Sequence, residues 1–311
     1  MLLTAKMGPN GFGNEFVKLA KLLVCRKTLG IPIAPSYWHS PYRHALPREL
    51  IYTNRIQRAW RLLTDRPIVF GRDEHLATGC VPVEEALAAF MQSRGVRNED
   101  NCCIEFKDFE PGIETVEKHG AYLYQVLMSS PRISAQVYET LYKLDADKVH
   151  IGVHIRRGDF RPALPIGTSW PAGQWNLQIP IEWYDLICER VQNAFPGHVQ
   201  FLVATSGSTP EVEALCDKYG TVLARADITR SGFDVADMLT LAGCDALIGS
   251  ASWFTGWPVV LSPKPWIWYG CAHGIPPWAR QKASLYVNEP SLPETFLEAI
   301  EEIQQRKGCS R

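Results

Sequence analysis

The segment from His150 to Phe160 reads HIGVHIRRGDF, and Val149 extends its apolar run at the amino end. A run of this kind, Val149 to Ile155, is the pattern of a strand buried on both faces of a parallel sheet. It ends abruptly in Arg156, Arg157, Gly158 and Asp159. In open α/β sheets ligands bind beyond the carboxyl ends of the strands, and the two arginines stand at such an end. Arginine presents a planar fork of donors that suits phosphate oxygens, and it keeps its charge. Neighbours on an extended segment point to opposite sides. One arginine can therefore face a ligand while the other braces the loop or pairs with a carboxylate such as Asp159. Each charge-assisted hydrogen bond of that type contributes about 1.5–3 kcal/mol. The plainer alternative is a strand end capped by solvated arginines. A third, an Arg157-Gly158-Asp159 adhesion tripeptide, has no secretion signal beside it and follows a strand expected to be buried.

Outward from this strand the pattern alternates. IEWYDLICERVQNAF reads as a helix, VQFLVATS as a strand and TPEVEALCDKYG as a helix with Thr209 as N-cap. VLAR is a short strand, DVADMLTLAGC a helix, ALIGS a strand, and SLPETFLEAIEEIQQRKG a closing helix. Towards the amino end, MLLTAKM reads as a strand, GPNGFGN as a glycine loop and EFVKLAKLLVCRKTLG as a helix stopped by Gly30. IPIAPSYW follows as a second strand, RELIYTNRIQRAWRLL as a helix, PIVFG as a strand and PVEEALAAFMQSRG as a helix. GIETVEKHGAYLYQVLMSSPRISAQVYETLYKL supplies one or two long helices. The expected organisation is two α/β domains, 1–145 and 146–311, facing a cleft. The second carries the arginines, and its closing helix is free to pack back on the first.

Composition narrows the function. The chain has 311 residues, with 32 basic and 33 acidic side chains and a formal net charge of -1. A nucleic-acid binder normally shows a basic excess, so none is expected here. Nine cysteines are scattered without a CxxC spacing, which suggests neither a disulfide framework nor a zinc site. The amino-terminal apolar run is too short for a signal peptide, and no stretch approaches the roughly 18 apolar residues of a membrane span. The expectation is a soluble, cytoplasmic protein.

Two further stretches carry chemistry. In MGPNGFGNE, Gly8, Gly11 and Gly13 lie between a strand and a helix. The spacing is neither GxGxxG nor GxxxxGK[ST], yet glycines and a helix N-terminus still suit an anion. A plain β-α turn is the alternative. In FDVADMLTLAGCDALIGSASWFTGW, a short strand delivers the hydroxyls Ser250 and Ser252 to its carboxyl end. Asp237, at the start of the preceding helix, can accept from adjacent N–H donors such as guanine's, or simply favour the helix N-terminus. Trp253 and Trp257 suit either the core or a sugar platform. No metal site is expected. There is no HExxH or DxD, and His150 and His154 on one strand face stand about 13 Å apart at roughly 3.3 Å per residue.

These stretches together resemble the α1,2/α1,6/O-fucosyltransferase superfamily, closest in pattern to the α1,2 enzymes. GVHIRRGDF is similar to its H-x-R-R-x-D motif, IPIEWYDLICERV to the segment in which a tandem aromatic pair opens a helix, and DMLTLAGCDALIGSASWFTGW to its late motif. GFGNEFVKLAKLL resembles its opening G-x-G-N segment. The likeness covers most of 146–260 and the first thirty residues. It implies a GT-B-like fold of two Rossmann-type domains. The implied activity is inverting fucose transfer from GDP-fucose to a glycan hydroxyl, with no metal and no cofactor beyond the donor. Arg156 would then bind the β-phosphate, and His154 the guanine or ribose through its backbone. Asp237 would read the guanine edge, and Ser250 and Ser252 would hold phosphate. Gly11, Gly13 and Asn14 would approach the diphosphate or the fucose, and Arg157 would complete the donor site.

The late motif departs from the usual Ser-Ser-Phe-Ser-Trp-Trp-like run, reading Ser250-Ala251-Ser252-Trp253-Phe254. That leaves open a different GDP-sugar, or a non-catalytic nucleotide- or glycan-binding protein. The insertion after Asp159, with Trp170 and Trp175, suits an acceptor wall, a lid or a self-packed loop. Direct displacement asks for a proton acceptor, for which Asp159 and Glu182 are the candidates by position and Glu15 a remote third.

Overall fold

The structure is a computed structural model that describes residues 1–5, 12–35, 67–77, 81–107, 112–158, 160–166, 168, 177–224, 233–250, 252–269, 284–286 and 292–309. The chain forms two compact units. One is Met1–Ser134 with Thr229–Val235, and the other is Ala135–Ile228 with Ala236–Arg311.

The first unit holds a parallel sheet of three strands, β1 (Leu2–Ala5), β2 (Ile68–Phe70) and β3 (Cys103–Phe106), in the order β1-β3-β2. After β1 comes α1 (Phe12–Leu29), whose Phe16, Leu19, Leu22 and Leu23 are fully buried, as the 3.6-residue period requires. Gly30 ends it with φ 69°, a left-handed position that favours glycine after a helix. The short α2 (Arg72–Leu76) follows β2, and α3 (Val83–Ser93) then packs against α1. The stretch expected to give one or two long helices gives two, α4 (Gly120–Met128) and α5 (Pro131–Leu141). Pro131 lacks the N–H needed to continue α4, but it is well placed at the first position of α5.

The second unit is a six-stranded, all-parallel sheet. Its elements are β4 (Val149–Ile155), α6 (Ile181–Ala194), β5 (Val199–Thr205), α7 (Pro210–Tyr219), β6 (Val222–Leu223), α8 (Phe233–Gly243) and β7 (Ala246–Gly249). Then come α9 (Trp253–Leu261), β8 (Trp266–Trp268), β9 (Ser284–Tyr286) and α10 (Glu294–Cys309). The strand order is β6-β5-β4-β7-β8-β9, with every pair parallel. Counted within the unit, that is the doubly wound 3-2-1-4-5-6 arrangement of Rossmann-type sheets, and its order reverses between β4 and β7.

β4 is the central strand. Val149, Ile151, Val153 and Ile155 share one core with Trp183, Tyr184 and Ile187 of α6, with Tyr269, and with Phe296, Ile300 and Ile303 of α10. The rings of Trp183 and Tyr269 meet edge to face at 5.3 Å. On the other face of β4, Gly152 lets α8 come close. A Cβ there would stand 2.9 Å from Leu241 Cδ2, 3.1 Å from Leu247 Cδ1 and 3.3 Å from Cys244 Sγ. At the amino edge Lys307 of α10 donates to Asp245 Oδ2 at 2.6 Å and to the Lys148 carbonyl at 2.7 Å. That pair of bonds pins the closing helix to the sheet.

Several elements differ from the sequence reading. IPIAPSYW does not form a second strand within the described residues. Ile33 makes one isolated bridge to Leu3, because Pro32 and Pro35 have no N–H to extend a ladder. The strand that does pair with β1 is β3, whose alternation Ile104-Glu105-Phe106-Lys107 is short and went unread in the sequence. α9, β8 and β9 also escaped the sequence reading. Pro258 sits inside α9 and argued against a helix, while the apolar WIW of β8 follows two prolines. α1 starts at Phe12, so Gly13 and Asn14 occupy its first turn rather than a loop. The amino-terminal glycines up to Gly11, the segment RELIYTNRIQRAWRLL, Asp159, Trp170 and Trp175 lie outside the described residues.

Replacing Gly152 by Val forces methyl groups into the α8 contact. The expected loss is about 1–3 kcal/mol of unfolding free energy, the usual cost of overpacking a filled core. Urea denaturation followed by tryptophan fluorescence measures it, and an unchanged midpoint would contradict the close packing described.

Candidate functional site

At the carboxyl edge of the second sheet, the reversal between β4 and β7 gathers most of the polar residues singled out in the sequence. His154 is the hub. It is 2% exposed, and its Nδ1 lies 2.7 Å from Thr255 Oγ1 and 2.8 Å from Ser250 Oγ. The two hydroxyls are 3.1 Å apart, and Ser252 Oγ stands 3.2 Å from Ser250 Oγ. The His154 carbonyl accepts from the Tyr184 hydroxyl at 3.1 Å, so α6 is tied to the same strand end. The Phe254 ring lies 4.7 Å from the imidazole, centre to centre.

Local sequence explains this arrangement. Ser252 is the N-cap of α9 and accepts from the Thr255 N–H at 3.4 Å, one of the amides that a helix start leaves unpaired. Gly249 ends β7, and its missing Cβ leaves the space that the Thr255 methyl group fills. His154 on β4 thereby reaches across the switch point into the first turn of α9. Burial, and to a lesser degree the positive charge of Arg156, lowers its pKa to about 3. The imidazole is neutral at ordinary pH, and it is too weak a base to take a proton from an acceptor hydroxyl.

The two arginines divide the work as alternating strand directions require. Arg157 is buried, and its Nη1 donates to the Ile179 carbonyl at 2.9 Å and to the Arg156 carbonyl at 3.4 Å. Its backbone N–H donates to Ser206 Oγ at 2.9 Å. Arg157 is thus a brace joining β4, the approach to α6 and the end of β5. Arg156 is half-buried, and its guanidinium lies 5.0 Å from the centre of the Phe160 ring, a cation–π distance.

The remaining candidates are more dispersed. Glu182 is exposed in the first turn of α6, two residues before Tyr184. Asp237 is the fifth residue of α8 and buried, not at the helix start where the sequence reading put it, so a macrodipole role does not describe it. Gly13 and Asn14 belong to α1 in the first unit. Glu15 is buried and ion-paired with Lys18 at 3.1 Å, an environment unsuited to a base in contact with an acceptor. Asp159 and Gly11 lie outside the described residues.

Three residues of the site were not singled out from sequence: Tyr184, Thr255 and Ser206. Tyr184 sits in the tandem aromatic pair, and Thr255 follows Ser252 at the spacing of an N-cap and its bonded amide. Their hydroxyls, however, meet His154 from 30 and 101 positions away in the chain. No local pattern signals such a meeting.

No protein-family model matches this chain, and no curated protein sequence does. Similar solved structures include a mutant of FUT1 from Arabidopsis thaliana in complex with GDP, at 12% identity and TM-score 0.49, covering 88% of this chain and 71% of that one. Others are the α-1,6-fucosyltransferase NodZ soaked with GDP-fucose, at 15% identity and TM-score 0.48 over 84% of this chain and 92% of that one, and POFUT1 in complex with GDP, at 12% and 0.49 over 86% and 98%. NodZ from Bradyrhizobium is also similar, at 15% identity and TM-score 0.48 over 84% of this chain and 93% of that one.

His154 makes the site sensitive to acid. Its folded pKa of about 3 lies below the ordinary 6.5 of the unfolded chain. Between those values the unfolded chain binds a proton that the folded one refuses. The stability is therefore fully present above pH 6.5 and is lost as pH falls towards 3. His154→Asn should flatten that limb of a urea-denaturation series by up to about 1.4 kcal/mol per pH unit. His75 and His150, whose pKa values burial also lowers, are common to both proteins and cancel in the difference.

Proposed function

We propose that this chain is a glycosyltransferase of GT-B-like build that moves fucose from GDP-fucose to a glycan hydroxyl, with inversion and without a metal. The observation that carries the reading is the division of the arginine pair at the switch point. One guanidinium braces the turn through the Ile179 carbonyl, and the other, half-buried against Phe160, stands at the strand's carboxyl end, where doubly wound sheets take nucleotides. The order of the motifs along the chain, arginine pair, tandem aromatics and late serine run, supports the same family.

In this reading Arg156 binds the β-phosphate of GDP. Ser252 and the first-turn amides of α9 supply further donors at a helix N-terminus, which favours an anion. Ser250, whose hydroxyl lies within the His154–Thr255 network, holds that donor surface in shape. His154 and Asp237 serve the guanosine portion, and Gly11, Gly13 and Asn14 count among the donor residues. The acceptor oxygen attacks the anomeric carbon, the bond from that carbon to the β-phosphate oxygen breaks, and its electron pair leaves with GDP. The hydroxyl proton passes to a carboxylate, Asp159 or Glu182. A fixed guanidinium and oriented amides stabilise the departing diphosphate, the role a metal plays elsewhere. The altered run Ser250-Ala251-Ser252-Trp253-Phe254 favours one alternative within the class, a different GDP-linked sugar on the same diphosphate site. A non-catalytic GDP-binding protein would bind the donor but neither transfer nor hydrolyse it.

Calorimetric titration of GDP, UDP and GDP-fucose in chelator decides the matter. GDP should bind in preference to UDP, and Arg156→Ala should weaken it by about tenfold or more, some 1.4 kcal/mol. Arg156→Lys should lose most transfer activity, because the fork is lost although the charge remains. GDP binding indifferent to Arg156 would remove the phosphate assignment.

A further inference from the structure

Beyond the last β4–β5 register pair, Ile155 with Thr205, the two strand ends remain joined mainly through Ser206. Ser206 Oγ accepts from the Arg157 N–H at 2.9 Å and donates to the Arg157 carbonyl at 3.1 Å. One hydroxyl thus holds both backbone groups of one residue. The Ser206 N–H donates to the Ile155 carbonyl at 3.4 Å. The residues on either side of Arg156 are therefore both fastened to Ser206. Thr205 repeats the device within its own strand end. Its hydroxyl donates to the Gly207 carbonyl at 2.8 Å and accepts from the Gly207 N–H at 3.3 Å.

Shape enforces the same contact. A Cβ on Gly207 would stand 3.3 Å from both Arg157 Cβ and Gly158 N, so any larger residue pushes the arginine turn away. Gly158 takes φ 67°, and a Cβ there would face the Ser206 carbonyl at 3.4 Å. From the opposite side, the bond from Arg157 Nη1 to the Ile179 carbonyl closes the frame. Arg156 is the residue in the middle of that frame. Its main chain is set by its neighbours, and its guanidinium lies 5.0 Å from the centre of the Phe160 ring.

We propose that Ser206 and Gly207 are positioning residues. They fix the backbone on both sides of Arg156 and so set where its guanidinium meets the diphosphate. This inference rests on the phosphate reading of Arg156. A guanidinium recognises phosphate through a fork of fixed geometry, so a shift of its Cα costs affinity even when charge and fold are intact.

The test is a double-mutant cycle on GDP affinity, with thermal unfolding followed in parallel. Ser206→Ala should weaken GDP by about fivefold or more, roughly 1 kcal/mol, in an otherwise wild-type protein, and by less than about twofold in an Arg156→Ala background. Ser206→Thr keeps the hydroxyl and should restore most of the affinity. Gly207→Ala should act in the same direction as Ser206→Ala, with its folded state checked by circular dichroism. Wild-type affinity in Ser206→Ala overturns the proposal. So does an equal loss in both backgrounds, which would mean that Ser206 touches the ligand itself. If Arg156→Ala binds GDP as wild type does, the phosphate reading falls first and this inference falls with it.

Discussion

The second unit depends on one buried polar contact, the imidazole of His154 lying against the hydroxyls of Ser250 and Thr255. A doubly wound sheet has a gap in its connections where the strand order reverses, because the segments leaving the two central strands run to opposite sides. Here that gap lies between β4 and β7. Backbone pairing joins the two strands only from Ile151 with Ala246 to Val153 with Ile248. Beyond that point the join is made by His154 against Ser250 and Thr255 at the capped start of α9, while the Tyr184 hydroxyl ties α6 to the same strand end. Buried polar groups are tolerable when bonded, and such a network gives the strand end one arrangement in preference to several.

From that join follows the different fate of the two arginines. The main chain of β4 arrives at a defined height and angle, and alternation then sends successive side chains to opposite sides. Arg157 turns inward and donates to the buried Ile179 carbonyl. An inward charge is costly unless it is well bonded, and here Nη1 donates to the Ile179 and Arg156 carbonyls. Arg156 turns outward over an aromatic ring. Arg157 spends its charge on the fold, and the half-buried guanidinium of Arg156 lies against the Phe160 ring.

The same physics limits what His154 can do. Its burial and the adjacent guanidinium keep it neutral far into acid, so it works as a hydrogen-bonding strut and not as an acid or base. Protonation chemistry in the proposed reaction falls instead to carboxylates at the strand and helix ends. In that proposal the structural and catalytic demands are separated: the buried histidine organises the edge, and the exposed Glu182 is one of the candidate proton acceptors.

The sequence by itself determined the parts that depend on periodicity and on residue chemistry. The run Val149–Ile155 read as a buried strand, Gly30 and Thr209 marked a helix end and a helix start, and the arginine pair stood at the strand's carboxyl end, with a phosphate site and a solvated cap both open. These signals are local, because backbone sterics, capping and charge act over a few residues. Tertiary structure decided what lies between distant segments. It placed β3 between β1 and β2, moved Gly13 and Asn14 into a helix turn, and put Asp237 inside α8 instead of at its tip. It also chose which arginine braces and which is presented. That choice depends on Ile179, Ser206 and Gly207, residues 22 to 50 positions away. The pairing is fixed by the packing of strands and helices in space, and no spacing along the chain encodes it.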